Sequence, residues 1–361
     1  MTNGGPPSCV HWFRPFHPMR TEGESRIDHL ERFWSLVIWD AGWFLRPCAS
    51  SSPALWEPSY PGALLTAEHP LHTKKLGRNA FLQGTEFGMA EATTLVSGIG
   101  MGESARWHDG ELWFADWMAG TISALDAQGL VRRVTAVPSF PIAFDWLPDG
   151  RMVVVSGSDR QVLLEVPGAG LVPLADLRAI SEHPWNEIAV HPSGNIYING
   201  IGHEYSGEAE STGVIALLRA DGSLGQVADG LSFPNGMLIS PDGRTLVVAE
   251  SNAGNLASFD IQDDGGLVPA GSWADLEGAS PDGICWDGTG GIWFAEVPGE
   301  RCVRVQQGGT VLDTVQLQQG CFSCAAGGID GGILFVMTAQ WPEVMDPANA
   351  GSGSVVGLRV R

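Results

Sequence analysis

Four side chains with oxygen donors stand at related places in the chain: Glu103, Asn186, Asn235 and Asp282. Asn186, Asn235 and Asp282 each lie eight residues before a turn glycine, at Gly194, Gly243 and Gly290, and Glu103 lies seven before Gly110. Two carboxylates and two amides, with no histidine or cysteine among them, form a hard donor set that suits Ca2+, Mg2+ or Mn2+ better than a zinc-type ion. An incomplete protein shell around such an ion would leave positions for water and substrate. Taken one at a time the residues say much less. Asn235-Gly236 and Asp282-Gly283 read as turn dipeptides, and Glu103 as a solvated acid. The common spacing gives them weight, because four such groups brought to an apolar ring are costly to bury unless a cation satisfies them.

Strands at equivalent register must bring these residues together. Between Ser232 and Glu250 an apolar run, Met237 to Ile239, reaches a Pro241-Asp242-Gly243-Arg244 turn, and a β-branched run, Thr245 to Ala249, leaves it. That is a hairpin signature. Apolar segments at Leu256 to Ile261 and Leu267 to Trp273 complete a four-stranded antiparallel unit. Its turn reappears at His108-Asp109-Gly110, Pro148-Asp149-Gly150, His191 to Gly194, Asp287 to Gly290 and Ile329-Asp330-Gly331. The six copies are roughly 40 to 50 residues apart, the period of propeller blades. One four-stranded sheet cannot cover both its faces, whereas several arranged radially cover one another. The predicted fold is all-β, a six-bladed β-propeller. Thr93 to Ser97 and Ser354 to Val360 complete one blade if the N-terminal strand becomes the outermost strand of the last sheet. Innermost strands line the channel of a propeller, so Glu103, Asn186, Asn235 and Asp282 are expected to converge at one mouth. The same position holds Ile142 in the second blade and Ser323 in the sixth.

Composition divides the chain once. Residues 1–88 carry eight basic and eight acidic side chains, so the whole formal charge of −21 falls on 89–361, where all twelve basic residues are arginine. Nucleic acid and anionic membranes repel such a chain, and neither is an expected partner. Residues 1–88 are rich in proline and tryptophan and show no blade repeat. They are expected to form an irregular, poorly ordered extension with a short helix over about 27–45, and Met89 is a natural start for the propeller domain, 89–361. The apolar run Phe33 to Leu45, interrupted by Asp40, is too short and polar to span a bilayer and begins too far along for an ordinary secretory signal. A cytoplasmic location and a monomer or weak homo-oligomer are the expectations. Cys9 and Cys48 lie in the extension, while Cys285, Cys302, Cys321 and Cys324 lie in or beside strands, where a free thiol is small apolar filling. Cys321 and Cys324 have a CxxC spacing without the further ligands that a zinc site needs.

Gly102-Glu103-Ser104 through Trp107, the Asn186 segment, Pro234-Asn235-Gly236 and Ser280-Pro281-Asp282-Gly283, in this order and on these blades, resemble the SMP-30/gluconolactonase/regucalcin family. The resemblance covers essentially all of 89–361 and none of 1–88. It implies a six-bladed propeller with one catalytic divalent ion at the channel mouth, Ca2+ being expected and Mg2+, Mn2+ or Zn2+ the alternatives. It also implies hydrolysis of sugar lactones or related cyclic esters. By position it makes Glu103, Asn235 and Asp282 metal ligands, Asn186 a fourth ligand or a contact for substrate and water, and Asp282 also the general base. Family members acting on sugar lactones often carry arginine two residues before the third-blade asparagine. Here that residue is Pro184, which has none of the donors of a guanidinium, so the identity of the sugar stays open. Trp185, His203 and Tyr205 are candidates to shape the substrate pocket instead.

The function expected from the sequence is a divalent-metal-dependent hydrolase that opens a small-molecule lactone. The alternatives are a phosphotriesterase-like or aryl-esterase-like activity on the same metal site, and a non-catalytic binding propeller, for which the repeats alone would suffice. The strand-end acids Asp116, Glu250 and Glu296 are expected to be solvated. Trp107, Trp113, Trp146, Trp286 and Trp293 are expected to pack between blades.

Overall fold

A glycine ends each hairpin turn because the backbone there is left-handed: φ is 81° at Gly110, 85° at Gly150, 88° at Gly194 and 73° at Gly243. The apolar run that follows each turn forms the second strand of its sheet. Met152–Ser156, Ile196–Gly200 and Ile333–Ala339 are buried along their whole length, as strands covered on both faces must be. Fourth strands such as Val131–Ala136 and Gly170–Asp176 are largely exposed. The computed structural model describes residues 71–73, 92–203, 212–328, 330–341 and 351–360. The helix expected over 27–45, and Tyr205, lie outside the described residues.

Among the described residues every helix or strand is a β-strand, and the strands form six antiparallel sheets. This is the six-bladed propeller expected from the repeats. The first strands of the blades are Gly102–His108, Ile142–Trp146, Glu187–Val190, Pro234–Ile239, Pro281–Trp286 and Gly320–Gly327. Each packs against the next, and the sixth returns to the first, closing a ring of inner strands. No helix among the described residues is long and apolar enough to cross a membrane.

Apolar clusters fill the spaces between neighbouring blades. Leu112 and Phe114 of blade one meet Ile333 and Phe335 of blade six, and Trp107 stacks on Phe335 with ring centroids 5.3 Å apart. Trp113 of blade one meets Trp146 of blade two edge to face at 5.2 Å. Trp286 of blade five meets Trp273 of blade four at 6.0 Å, and Trp293 is buried beneath blade six. The tryptophans are therefore inter-blade packing, as expected.

The ring is closed by pairing rather than by a covalent bond. Thr93–Ile99 pairs with Gly353–Arg359 and becomes the fourth strand of the sixth blade, and His72–Thr73 adds a short fifth strand on Val96 and Ser97. Leu95, Val96 and Ile99 are at most 2 % exposed, and each such side chain contributes about 1.5–3 kcal/mol of burial. A chain beginning at Met101, which lacks this strand, should therefore melt about 10 °C lower or aggregate, while one beginning at Met89 keeps a four-stranded sixth blade. Circular dichroism melts of the two truncations make the comparison.

Candidate active site

Register along the inner strands breaks near the start of blades one, four and five, and again between Cys321 and Ser323 in blade six. In blade four Pro234 faces Glu250, and the next aligned pair is Met237 with Val248. In blade five Pro281 faces Glu296, and the next is Ile284 with Phe294. In blade one Glu103 faces Ala115, and the next is Arg106 with Trp113. Such bulges re-aim the side chains they carry. Asn235 and Asp282 lie inside the breaks and Glu103 at the edge of one, while Asn186 immediately precedes the inner strand of blade three.

The glycines after Asn235 and Asp282 have a reason other than a turn. A Cβ on Gly236 would sit 2.7 Å from the backbone oxygen of Asp282, and one on Gly283 would sit 2.8 Å from the Cα of Ser323. Adjacent inner strands touch here, and only glycine fits. Ser104 follows Glu103 in the same way, with φ of 49°. Its hydroxyl donates to the two Glu187 carboxylate oxygens at 3.2 and 3.1 Å.

Two of the three strand-end acids are not solvated as the sequence suggested, and the third, Glu250, is half-buried. Asp116 and Glu296 are 6 % and 2 % exposed. Asp116 accepts the backbone N–H groups of Gly100 at 2.9 Å and Met101 at 3.2 Å. Glu250 accepts that of Ser232 at 2.8 Å, and Glu296 that of Ser280 at 3.2 Å. Each carboxylate thus ties down the loop arriving at its own blade's inner strand, two or three residues ahead of Glu103, Asn235 or Asp282. Burial is tolerated because backbone donors satisfy the oxygens.

Side-chain amides and two serines stitch neighbouring blades together. Asn186 Nδ2 donates to Pro234 O at 3.2 Å, and Asn199 Nδ2 to Asn235 O at 2.7 Å. Asn199 Oδ1 accepts the Glu187 N–H at 3.1 Å. Asn235 Nδ2 reaches Ser251 Oγ at 3.4 Å, and that hydroxyl donates to Pro281 O at 2.7 Å. Ser323 Oγ accepts the Ala105 N–H at 3.0 Å, joining blade six to blade one.

Negative charge accumulates at this ring. Glu103 and Asp282 are each 5 % exposed. Burial pushes the Glu103 carboxyl well above the usual carboxylate range, and repulsion from Asp282 and Glu187 adds to the rise. Burial likewise pushes Asp282 well up, Glu187 adds to it, and a hydrogen bond from the Asn235 side chain opposes it. Asp282 Oδ1 is buried with no hydrogen-bond partner among the described residues. Glu187 is raised by burial but held back by Arg106, whose Nη2 lies 3.1 Å from its carboxylate. Arg106 also donates to Ile188 O at 3.2 Å. Asp145, raised by burial and opposed by Arg106, accepts the Val190 N–H at 2.8 Å. Glu103, Glu187 and Asp145 thus share one guanidinium, and Asp282 draws no such relief from it. An excess of buried negative charge, an orphaned carboxylate oxygen and an all-oxygen donor set fit a hard divalent cation. No three His, Cys, Asp or Glu side chains among the described residues form a metal cluster by themselves, so the amides of Asn186 and Asn235 would have to complete the set.

Trp185 is fully buried in the cluster between blades two and three, with Ile188, Val155 and Leu177. His203 is partly exposed, its ring 5.9 Å from that of Phe233, which leads into Pro234-Asn235. Glu187, Arg106, Asn199 and Ser251 had no role in the sequence reading. The available signal was a charge or amide inside an otherwise apolar run, as in Ile196-Tyr-Ile-Asn199.

Residues 101–340 match the family model described as SMP-30/Gluconolactonase/LRE-like region. The chain is similar to a 6-deoxy-6-sulfogluconolactonase of Pseudomonas putida, with 25 % identity over 225 residues that cover 60 % of this chain and 75 % of the relative. It is also similar to a pentonolactonase of Haloferax volcanii, with 24 % identity over 250 residues, 66 % of this chain and 81 % of the relative. Its fold is similar to the crystal structure of a calcium-binding protein, regucalcin, from Agrobacterium tumefaciens, with a TM-score of 0.60, 22 % identity, and coverage of 73 % of this chain and 93 % of that one.

Two outcomes follow from the charge balance. With Glu103 and Asp282 raised, the metal-free folded protein holds protons that the unfolded chain has released, so its stability falls as pH rises from about 4 toward the raised values. Asp282→Asn removes one charge, and in chelator at neutral pH its melting temperature should rise by a few degrees and depend less on pH. Arg106→Met has the opposite sign: it leaves Glu187 buried and uncompensated and should cost about 3 kcal/mol in denaturant unfolding.

Proposed function

The chain belongs to the SMP-30/gluconolactonase/LRE-like family, and on that premise we propose that it hydrolyses a lactone, with Glu103, Asn186, Asn235 and Asp282 holding a divalent cation. When bound, the cation would polarise the lactone carbonyl and acidify the attacking water. The observation that carries the reading is the buried Oδ1 of Asp282, without a partner among the described residues, beside a second buried carboxylate, Glu103. The relatives named as lactonases supply the reaction class.

Asp282 is the general base in this reading. It takes the proton of water as the water attacks the carbonyl, and a base held in one orientation makes that transfer efficient. Its orientation comes from the Asn235 side chain, while Ser251 fixes both the Asn235 amide and the Pro281 carbonyl. Glu103 would supply charge and an oxygen donor to the ion, while Arg106 pairs with Glu187. Asn186, tethered to Pro234, would be a fourth ligand of the ion or a contact for substrate and water. With Pro184 in place of an arginine, recognition of the ring substituents falls to His203 and the neighbouring Phe233. The favoured ion is Ca2+, because an all-oxygen set of acids and amides is its usual environment.

Hydrolysis should be followed by pH-stat over a panel of γ- and δ-lactones, with phenyl acetate and a phosphotriester as comparators. Chelation should abolish lactone turnover and Ca2+ should restore it. Asp282→Asn should lower kcat by about a hundred-fold or more. Undiminished activity in that variant, or faster turnover of the ester or phosphotriester than of every lactone, would overturn the reading.

A further inference from the structure

The four cysteines of the propeller, spread over forty residues of sequence, meet in one apolar cluster between blades five and six. Cys285 stands on the inner strand Pro281–Trp286, Cys302 on Arg301–Val305, and Cys321 and Cys324 on the inner strand Gly320–Gly327. All four are free thiols. Cys285 Sγ lies 3.7 Å from Cys324 Sγ, and Cys302 neighbours both Cys321 and Cys324.

Two features single out one pair. Cys302, Cys321 and Cys324 are fully buried, whereas Cys285 is partly exposed, so a small solute approaching from solvent meets the Cys285 end first. The backbones beneath that pair are already in contact. Gly283, two residues before Cys285, lies so close to Ser323, the residue before Cys324, that a Cβ would be 2.8 Å from the Ser323 Cα. Closing the sulfurs from 3.7 Å to the about 2.0 Å of a disulfide then needs rotation of side chains, not movement of strands.

We propose that Cys285 and Cys324 form an oxidation site that closes a disulfide between the inner strands of blades five and six when the protein meets a hydroperoxide. The thiolate of the pair attacks the peroxide, an S–O bond forming as the O–O bond breaks and the alkoxide leaving as an alcohol once protonated. The second sulfur then displaces the hydroxyl of the sulfenic acid. The S–S bond forms, and water leaves with the second thiol's proton. Two electrons pass from the two sulfurs to the peroxide. Cys285, the sulfur nearer solvent, is the attacking one, and Cys324, whose thiol donates to the Gly283 and Trp293 carbonyls, is the resolving one.

The test uses the full-length, fully reduced protein and hydrogen peroxide at neutral pH, with peptide mass mapping under non-reducing conditions. The expected product is a linked pair of peptides carrying Cys285 and Cys324, two hydrogen atoms lighter than the separate peptides, and split by dithiothreitol. Cys285→Ser should abolish the link, and Cys302→Ala should leave it intact, circular dichroism confirming that both variants are folded. If Cys285→Ser does not fold, Cys324→Ala serves in its place. A link joining Cys302 to Cys321 or to Cys324, sulfinic or sulfonic acids without any link, or an unreacted pair at a peroxide dose that oxidises a small free thiol in the same sample would each overturn the proposal.

Discussion

Inner strands of neighbouring blades approach until backbone touches backbone. At Gly236 and Gly283 there is no room for a single methyl group between one blade and the next. This contact fixes everything near the axis, because residues 283 and 323, far apart in sequence, come within van der Waals reach. Side chains borne by different blades then share one poorly solvated space. Carboxylates that would ignore each other on a surface repel strongly there.

The rest of each blade holds that arrangement against its own electrostatic cost. Apolar clusters between blades supply most of the favourable energy. Asp116, Glu250 and Glu296 work locally, binding the backbone of the loops that lead to the inner strands. Asn199, Ser251 and Ser323 work between blades, each bridging to the strand next door. Arg106 neutralises only part of the acid around it. A protein that keeps Glu103 and Asp282 buried beside each other gives up stability for a charged site, a balance familiar at functional sites.

The same closeness decides what the cysteines can do. In sequence they read as separate fillers of separate strands. In the folded ring the contact of blades five and six brings Cys285 to Cys324, three residues on from Asp282. One structural cause thus underlies both the acidic ring and the thiol pair.

The repeat, its period and the closing strand could be read directly from the chain, because turn glycines and alternating apolar runs are local features that each blade writes in its own segment. Equivalent register was also local information, since counting back from each turn reached Glu103, Asn186, Asn235 and Asp282 as the starts of inner strands. Tertiary structure alone decided which neighbour each residue meets. The bulges at Asn235 and Asp282, the pairing of Arg106 with Glu187, the burial of Asp116 and Glu296, and the approach of Cys285 to Cys324 all depend on contacts between blades or between a strand end and a distant loop. A sequence records the side chain and its place along a strand, but burial, repulsion and close approach are properties of the space between strands, which exists only after the ring has closed.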